Sequence, residues 1–290
     1  MSQVANKAIH IGSAGAEPFI IASSRDSGKL PIKFFYNQVR ESNWEFVVPE
    51  TSKIETIESL RGSSIGVGAL TNSHMFVTRA ILKDVGLAEG SDFNFVAVGV
   101  GAPAFQSLMN GQIDTYYTWA ANISSFEATG ARLRRIPVEA KYRDIFQAGF
   151  FAHVDTIEQN PKLLGGFGRA LNKASQICWN IPDWCVRNFW EFYPNLKPAV
   201  ASLQDESARI ATSVKMGWEG YFAFKGDGAR NFGSYPDGSW QTLIAILEDV
   251  GAVEPNSVHE NDLFTNDLVS HFNNFSQEEI DEQVKNISAK

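Results

Sequence analysis

The chain has 290 residues, 44% of them hydrophobic and 20% charged, which excludes a disordered or fibrous protein and allows one large domain or two of medium size. Lys+Arg number 25 against 33 Asp+Glu, a formal charge of −8 with no basic block, which argues against nucleic acid or an anionic membrane as the main partner. No stretch approaches the roughly 18 apolar residues of a membrane span, and two cysteines are too few for a disulfide framework or a four-ligand zinc site.

Strand-like runs dominate the first half, at residues 8–11, 32–36, 44–48, 64–67, 94–98 and 113–117, each followed by turn residues. Helical spacing fills several of the gaps. Ser73 stands at the head of a helix through Val85, with Phe76, Ala80 and Ile81 on one face and Gly86 as its stop. A second helix runs from Pro103 to Met109 and a third from Asn122 to Thr129. Residues 64–130 thus alternate strand and helix, the pattern of a small parallel sheet covered by helices, and the fold class is α/β.

Beyond about residue 155 the pattern is nearly all helical. Asn160-Pro161 opens a helix whose Leu164, Phe167, Leu171, Ala174 and Cys178 share a face. A long helical pattern follows from about Pro198 to Phe224. Ser239 is expected to cap a helix carrying Trp240, Leu243, Ile244 and Leu247, and Ser276 with Glu279 forms a capping box for the last one. The Gly/Asp-rich stretch 226–238 has neither phosphate-loop nor EF-hand spacing and reads as a surface loop.

Catalytic and metal templates are absent. The chain contains no G-x-S-x-G elbow, no phosphate-loop motif and no H-E-x-x-H, and its five histidines are scattered. Gly66-Val67-Gly68 starts like a dinucleotide fingerprint but lacks the third glycine. Cys178 and Cys185, beside Trp179 and Trp184, read as apolar packing. The expectation is therefore no enzyme, no metal and no cofactor.

A binding cleft is the remaining reading. In open α/β sheets, ligands sit beyond the carboxyl ends of the strands. Loops 68–73, 99–103 and 118–122 leave from such ends, and Gly12-Ser13-Ala14-Gly15-Ala16 follows the first strand; all are rich in small residues that let backbone N–H groups approach a ligand. The first also ends at a helix N-terminus, which favours an anion. Candidate ligand contacts are Ser13, Ala14, Gly15, Thr71, Asn72, Ser73, His74, Gly101 and Trp119. Ser73 has two readings, helix cap or ligand contact. Trp119 has two as well, a wall for an organic ligand or core packing.

The run Ile57-Glu58-Ser59-Leu60-Arg61-Gly62-Ser63-Ser64-Ile65-Gly66-Val67-Gly68 resembles the "DLKGKKIGV" segment of ABC-transporter solute-binding proteins, in the branch for nitrate, sulfonate, taurine and thiamine-precursor pyrimidines (SsuA/THI5-like). Leu82-Lys83-Asp84-Val85-Gly86-Leu87, Phe95-Val96-Ala97-Val98-Gly99, Gly111-Gln112-Ile113-Asp114 after Ala104, and Phe126-Glu127-Ala128-Thr129-Gly130 follow in the family's order, and the pattern covers most of residues 8–175.

The resemblance implies a type 2 periplasmic-binding fold, two α/β lobes joined by two crossover strands at residues 44–48 and 149–153. Lobe 1 is then residues 1–49 with 149–290, and lobe 2 is residues 50–148. The implied function is capture of a small anionic or heteroaromatic solute by lobe closure and its delivery to an ABC permease with its ATPase, in the periplasm or an extracytoplasmic space. Family members begin with a signal peptide and two strand–helix units, neither of which is read here, so the expectation is that the N-terminal part of the first lobe is missing. The alternatives are a thiamine-pyrimidine synthase, which in that family uses pyridoxal phosphate and iron with a Cys/His-rich cluster this sequence lacks, and the ligand-sensing part of a regulator.

Overall fold

The computed structural model describes residues 1–25, 30–127, 129–196, 207, 211 and 231–289. The helix expected between Pro198 and Phe224 lies outside them, apart from Ser207 and Ala211.

Two sheets organise the chain. The smaller has the order β1 (Ile11–Gly15), β8 (Ala148–His153), β2 (Ile32–Val39), with β8 in the middle and antiparallel to both neighbours. The larger has five strands in the order β5 (Phe93–Ala97), β4 (Ser63–Val67), β6 (Thr115–Trp119), β3 (Trp44–Pro49), β7 (Leu133–Ile136). Its β4, β5 and β6 are parallel, as the strand–helix alternation requires, while β3 runs antiparallel to β6 and β7. The chain crosses between the sheets twice, at residues 40–43 and 137–147.

The first strand is displaced from its expected place. Residues 8–10 form bends, and Ile11–Gly15 is the strand, so Ser13, Ala14 and Gly15 are strand residues and not a loop. Its composition disfavours a strand in isolation. Pairing decides the matter: Gly12 lies opposite Phe151 and Ala14 opposite Gly149, and a Cβ on Gly12 would overlap the Phe151 ring. Small residues are what that aromatic needs beneath it.

In β2 the run Phe34–Tyr36 is buried on both faces because helices cover both. Phe34 packs with Phe19 of α2 (Glu17–Arg25), Phe151 and Trp240 of α10 (Ser239–Asp249). On the opposite face Phe35 meets Phe167 of α8 (Pro161–Asn180) and Phe272 of α11 (Val269–Phe272). A single apolar core runs from Phe19 and Phe34 through Phe46 and Tyr117 to Val77 and Ile81 of α3 (Met75–Asp84), and α10 packs on both α2 and α3.

Several helix ends differ from their sequence signals. Helix α10 is preceded by Gly238 as its N-cap, and Ser239 lies inside it with an unpartnered hydroxyl. At α12 (Gln277–Ser288) half of the capping box is present, with the Glu279 backbone N–H donating to Ser276 Oγ at 3.2 Å.

Cys178 and Cys185 do not merely pack. They form a disulfide that ties the end of α8 to α9 (Pro182–Phe192) across a separation of seven residues. Packing gave no reason to pair them, but the Pro182 break turns the chain and brings the two Cα atoms within 5.5 Å. Loop closure of this length is worth about 2.5 kcal/mol. Cys185→Ser is expected to lower stability by about 2–3 kcal/mol, read by urea denaturation, with dithiothreitol producing the same shift in the unaltered chain. Thiol titration finding two free cysteines without reductant would refute the bond.

Candidate functional site

Four chain segments meet where the two sheets adjoin: the start of α2, the start of α3, the end of the first crossing with the start of β3 (Ser42–Trp44), and the end of β6. The β3–β6 register sets Trp44 directly opposite Trp119, with ring centroids 5.7 Å apart. The His74 ring stacks on Trp44 at 4.8 Å and lies nearly parallel to Tyr117 at 6.2 Å. Burial drives the Tyr117 phenol far above its usual range, so it stays neutral beside these rings.

His74 is 2% exposed, and both ring nitrogens have partners. Glu17 Oε1 lies 3.0 Å from Nδ1, and Ser42 Oγ lies 3.3 Å from Nε2. An ionised carboxylate only accepts, which puts a ring proton on Nδ1. In the neutral imidazole, Nε2 then accepts from the Ser42 hydroxyl. Glu17 is 1% exposed, and its second oxygen, Oε2, is buried with no partner. Trp44 Nε1 and Asn43 Oδ1 are likewise buried and unpartnered. Unsatisfied polar atoms are uncommon in cores, and three on connected residues mark a place built for something polar.

Helix α3 starts at Met75 with His74 at its N-cap, and no side chain closes the cap. Ser73 is therefore not the cap; the Asn72 side chain instead accepts from the His74 backbone N–H at 3.3 Å. Released from that duty, Ser73 faces Gly15: a Cβ placed on Gly15 would lie 2.8 Å from Ser73 Oγ and 2.6 Å from Glu17 Oε2.

The structure thus brings Gly15, Ser73, His74 and Trp119 into one neighbourhood. Asn72 enters it through its bond to His74, and Ala14 packs against the core behind it. Ser13 and Thr71 are exposed. Gly101 is the N-cap of α4 (Ala102–Met109), on the loop carrying the exposed Val100. The expected loop 118–122 does not exist: β6 ends at Trp119, α5 (Ala120–Glu127) begins at once, and the buried Thr118 Oγ1 accepts from Asn122 Nδ2 at 3.0 Å.

Sequence reasoning missed Glu17, Ser42 and Trp44. For Glu17 a signal was present, a lone acid among Gly15, Ala16, Pro18 and Phe19 at the head of an apolar helix. For Trp44 the signal required the strand register, which spacing alone does not supply.

No cluster of metal-holding side chains occurs among the described residues, and none of their helices is long and apolar enough to cross a membrane. Two cavities lie away from this neighbourhood, one of about 520 Å³ bordered by Arg40, Asp144, Tyr235 and Asn266 and one of about 650 Å³ bordered by Pro182, Trp184 and Arg187.

Comparison with known proteins places this geometry in a family. A search of the curated proteins finds no match. Among solved structures, the chain is similar to the alkanesulfonate-binding protein SsuA from Xanthomonas axonopodis pv. citri bound to MOPS, at 16% identity and a TM-score of 0.59, covering 91% of this chain and 83% of that one. It is also similar to the periplasmic nitrate-binding protein NrtA from Synechocystis PCC 6803, at 12% identity and 0.56, covering 94% and 76%. The desulfurization enzyme DSZB has the same fold, at 13% identity and 0.54, covering 90% and 84%. These likenesses show the periplasmic-binding type of α/β fold. A model of the NMT1/THI5-like family matches residues 1–184, more than half of the sequence, and the chain belongs to that family.

Proposed function

We propose that this chain is the solute-binding component of an ABC importer, capturing a small solute of sulfonate, taurine, nitrate or pyrimidine type and handing it to a membrane permease with its ATPase. The observation that carries this reading is the convergence of Gly15, Ser73, His74 and Trp119, from both sheets, on one partly polar, aromatic-walled neighbourhood. The two sheets are the cores of two lobes divided at the crossings 40–43 and 137–147, so that β3 goes with the second lobe and not with residues 1–43, and the ligand sits between them. Closure follows from differential binding, because a ligand touching both lobes favours the state in which both reach it. Helix α10 of the first lobe packs on α3 of the second, so opening has to part an apolar contact. The disulfide supports an oxidising, extracytoplasmic location.

Calorimetric titration with ethanesulfonate, taurine, nitrate and 4-aminopyrimidine tests the reading, with saturable binding of at least one expected. Ser73→Ala is expected to weaken that binding roughly tenfold, about 1.4 kcal/mol, with little change in melting temperature because Ser73 caps nothing. Trp119→Ala is expected to weaken it further through lost apolar contact. Unchanged affinity in a folded Trp119→Ala protein removes that residue from the site.

The chain Ser42–His74–Glu17 favours a second, enzymatic reading, since it has the connectivity of a serine nucleophile, a base and an orienting acid. Under the carrier reading, incubation with p-nitrophenyl acetate gives no hydrolysis above that of a Ser42→Ala control. A rate that disappears in that variant would favour the enzyme.

A further inference from the structure

The neighbourhood between the two sheets is packed shut by the chain's own side chains. Glu17 belongs to α2, which follows β1 of the smaller sheet, and His74 stands at the head of α3, which follows β4 of the larger one. Their contact at 3.0 Å therefore ties one sheet's unit to the other's, and both side chains are buried. The packing around it is direct. A Cβ on Gly15 of β1 would come within 2.6 Å of Glu17 Oε2 and 2.8 Å of Ser73 Oγ, so the strand touches the residue before His74. Opposing contributions meet at this seam. The apolar contact of α10 with α3 and the Glu17–His74 bond hold it shut. Against them stand Glu17 Oε2, Asn43 Oδ1 and Trp44 Nε1, buried without partners, which water admitted on opening would satisfy. Lys83 of α3 and Asp249 of α10 also pair across the seam, but both side chains are about half exposed, and such pairs contribute little. The buried pair is different. A carboxylate left in the shut seam without His74 is a stranded charge, and parting of the two units is the nearest way to hydrate it.

We propose, resting on the carrier reading, that Glu17 and His74 form a latch that keeps the two lobes shut while no solute is bound, so that solute entry waits on the pair parting. The ring of His74, stacked on Trp44 at the start of β3, fixes the second lobe's half of the latch, and the Ser42 hydroxyl on the first crossing holds its other nitrogen. A solute then meets only the fraction of molecules whose latch is open, and its apparent affinity falls below the intrinsic one by that fraction.

Double electron–electron resonance between two spin labels on the full chain reads the latch with no solute present. Lys162→Cys on α8 and Gln106→Cys on α4 put one label at an exposed position of each lobe, and the native cysteines, bonded to each other, take none. The labelled chain is expected to give one dominant distance. Adding His74→Phe is expected to raise the ratio of a longer distance to that one at least tenfold. Adding Glu17→Leu to His74→Phe is expected to restore the shut distance, because the stranded carboxylate is gone. Glu17→Ala strands only a neutral ring N–H, so it is expected to shift the ratio the same way by less; it carries the test if His74→Phe does not fold. A pair with a merely structural role would lower the urea midpoint and leave the distance alone, so an unchanged distance in the folded single variants would overturn the latch. An open distance already dominant in the chain with Glu17 and His74 intact would overturn it too, as would an opening by Lys83→Ala as large as that by His74→Phe. These three outcomes leave the carrier reading to stand on its titrations. Absence of binding by every solute titrated would overturn the carrier reading and the gating role together, whatever the distances show.

Discussion

Trp240→Ala is expected to lower the stability of the chain by about 3–5 kcal/mol, the range for truncating a buried large aromatic. Trp240 is 0% exposed and is surrounded by rings: Phe264 stacked at 5.3 Å, Phe146 at 4.7 Å, Tyr235 at 5.3 Å and Phe34 at 5.4 Å. These neighbours come from β2, from the second crossing and from the C-terminal segment, so collapse of one into the void pulls on the others, and the cavity term stays large. The effect reaches the proposed cleft because α10, which carries Trp240, also packs on α3 behind His74. Trp240→Phe serves as the control. It keeps most of the stacking and removes an indole N–H that is buried without an acceptor, which by itself costs about 1–3 kcal/mol. Equilibrium unfolding in urea should therefore place Trp240→Phe well above Trp240→Ala. A loss under about 1 kcal/mol for the alanine variant would mean that α10 is not packed as described.

The parallel part of the larger sheet was legible because it obeys local rules. Alternating apolar runs and helix punctuation in residues 64–127 need only nearest neighbours, and β4, β5, α3 and α4 fall within a few residues of their expected bounds. What escaped was set at a distance. Strand β1 exists because β8, more than 130 residues later, needs small partners for Phe151. Trp44 reached the site through its register with Trp119, and the disulfide through the fold-back at Pro182. Glu17 escaped for a different reason. A single acid at the head of a helix is ordinary there, favourable with the helix dipole, and only its burial beside His74 distinguishes it from a surface residue. The Ser73 cap failed because the helix begins one residue later than the hydroxyl suggests, with His74 at the N-cap.

The Glu17–His74 pair yields the second large effect. His74→Phe keeps a flat ring to stack on Trp44 and removes the nitrogen that faces Glu17, leaving both carboxylate oxygens buried and unpaired. Breaking one partner of a buried pair typically costs about 3–5 kcal/mol, most of it the penalty for the stranded group, and that is the expected loss in urea unfolding. Adding Glu17→Leu to His74→Phe removes the stranded group as well, and the double variant is expected to recover at least half of the loss. Additive losses would mean that the two residues do not act as a pair, since contacting residues in one network depart from additivity by about 0.5–3 kcal/mol.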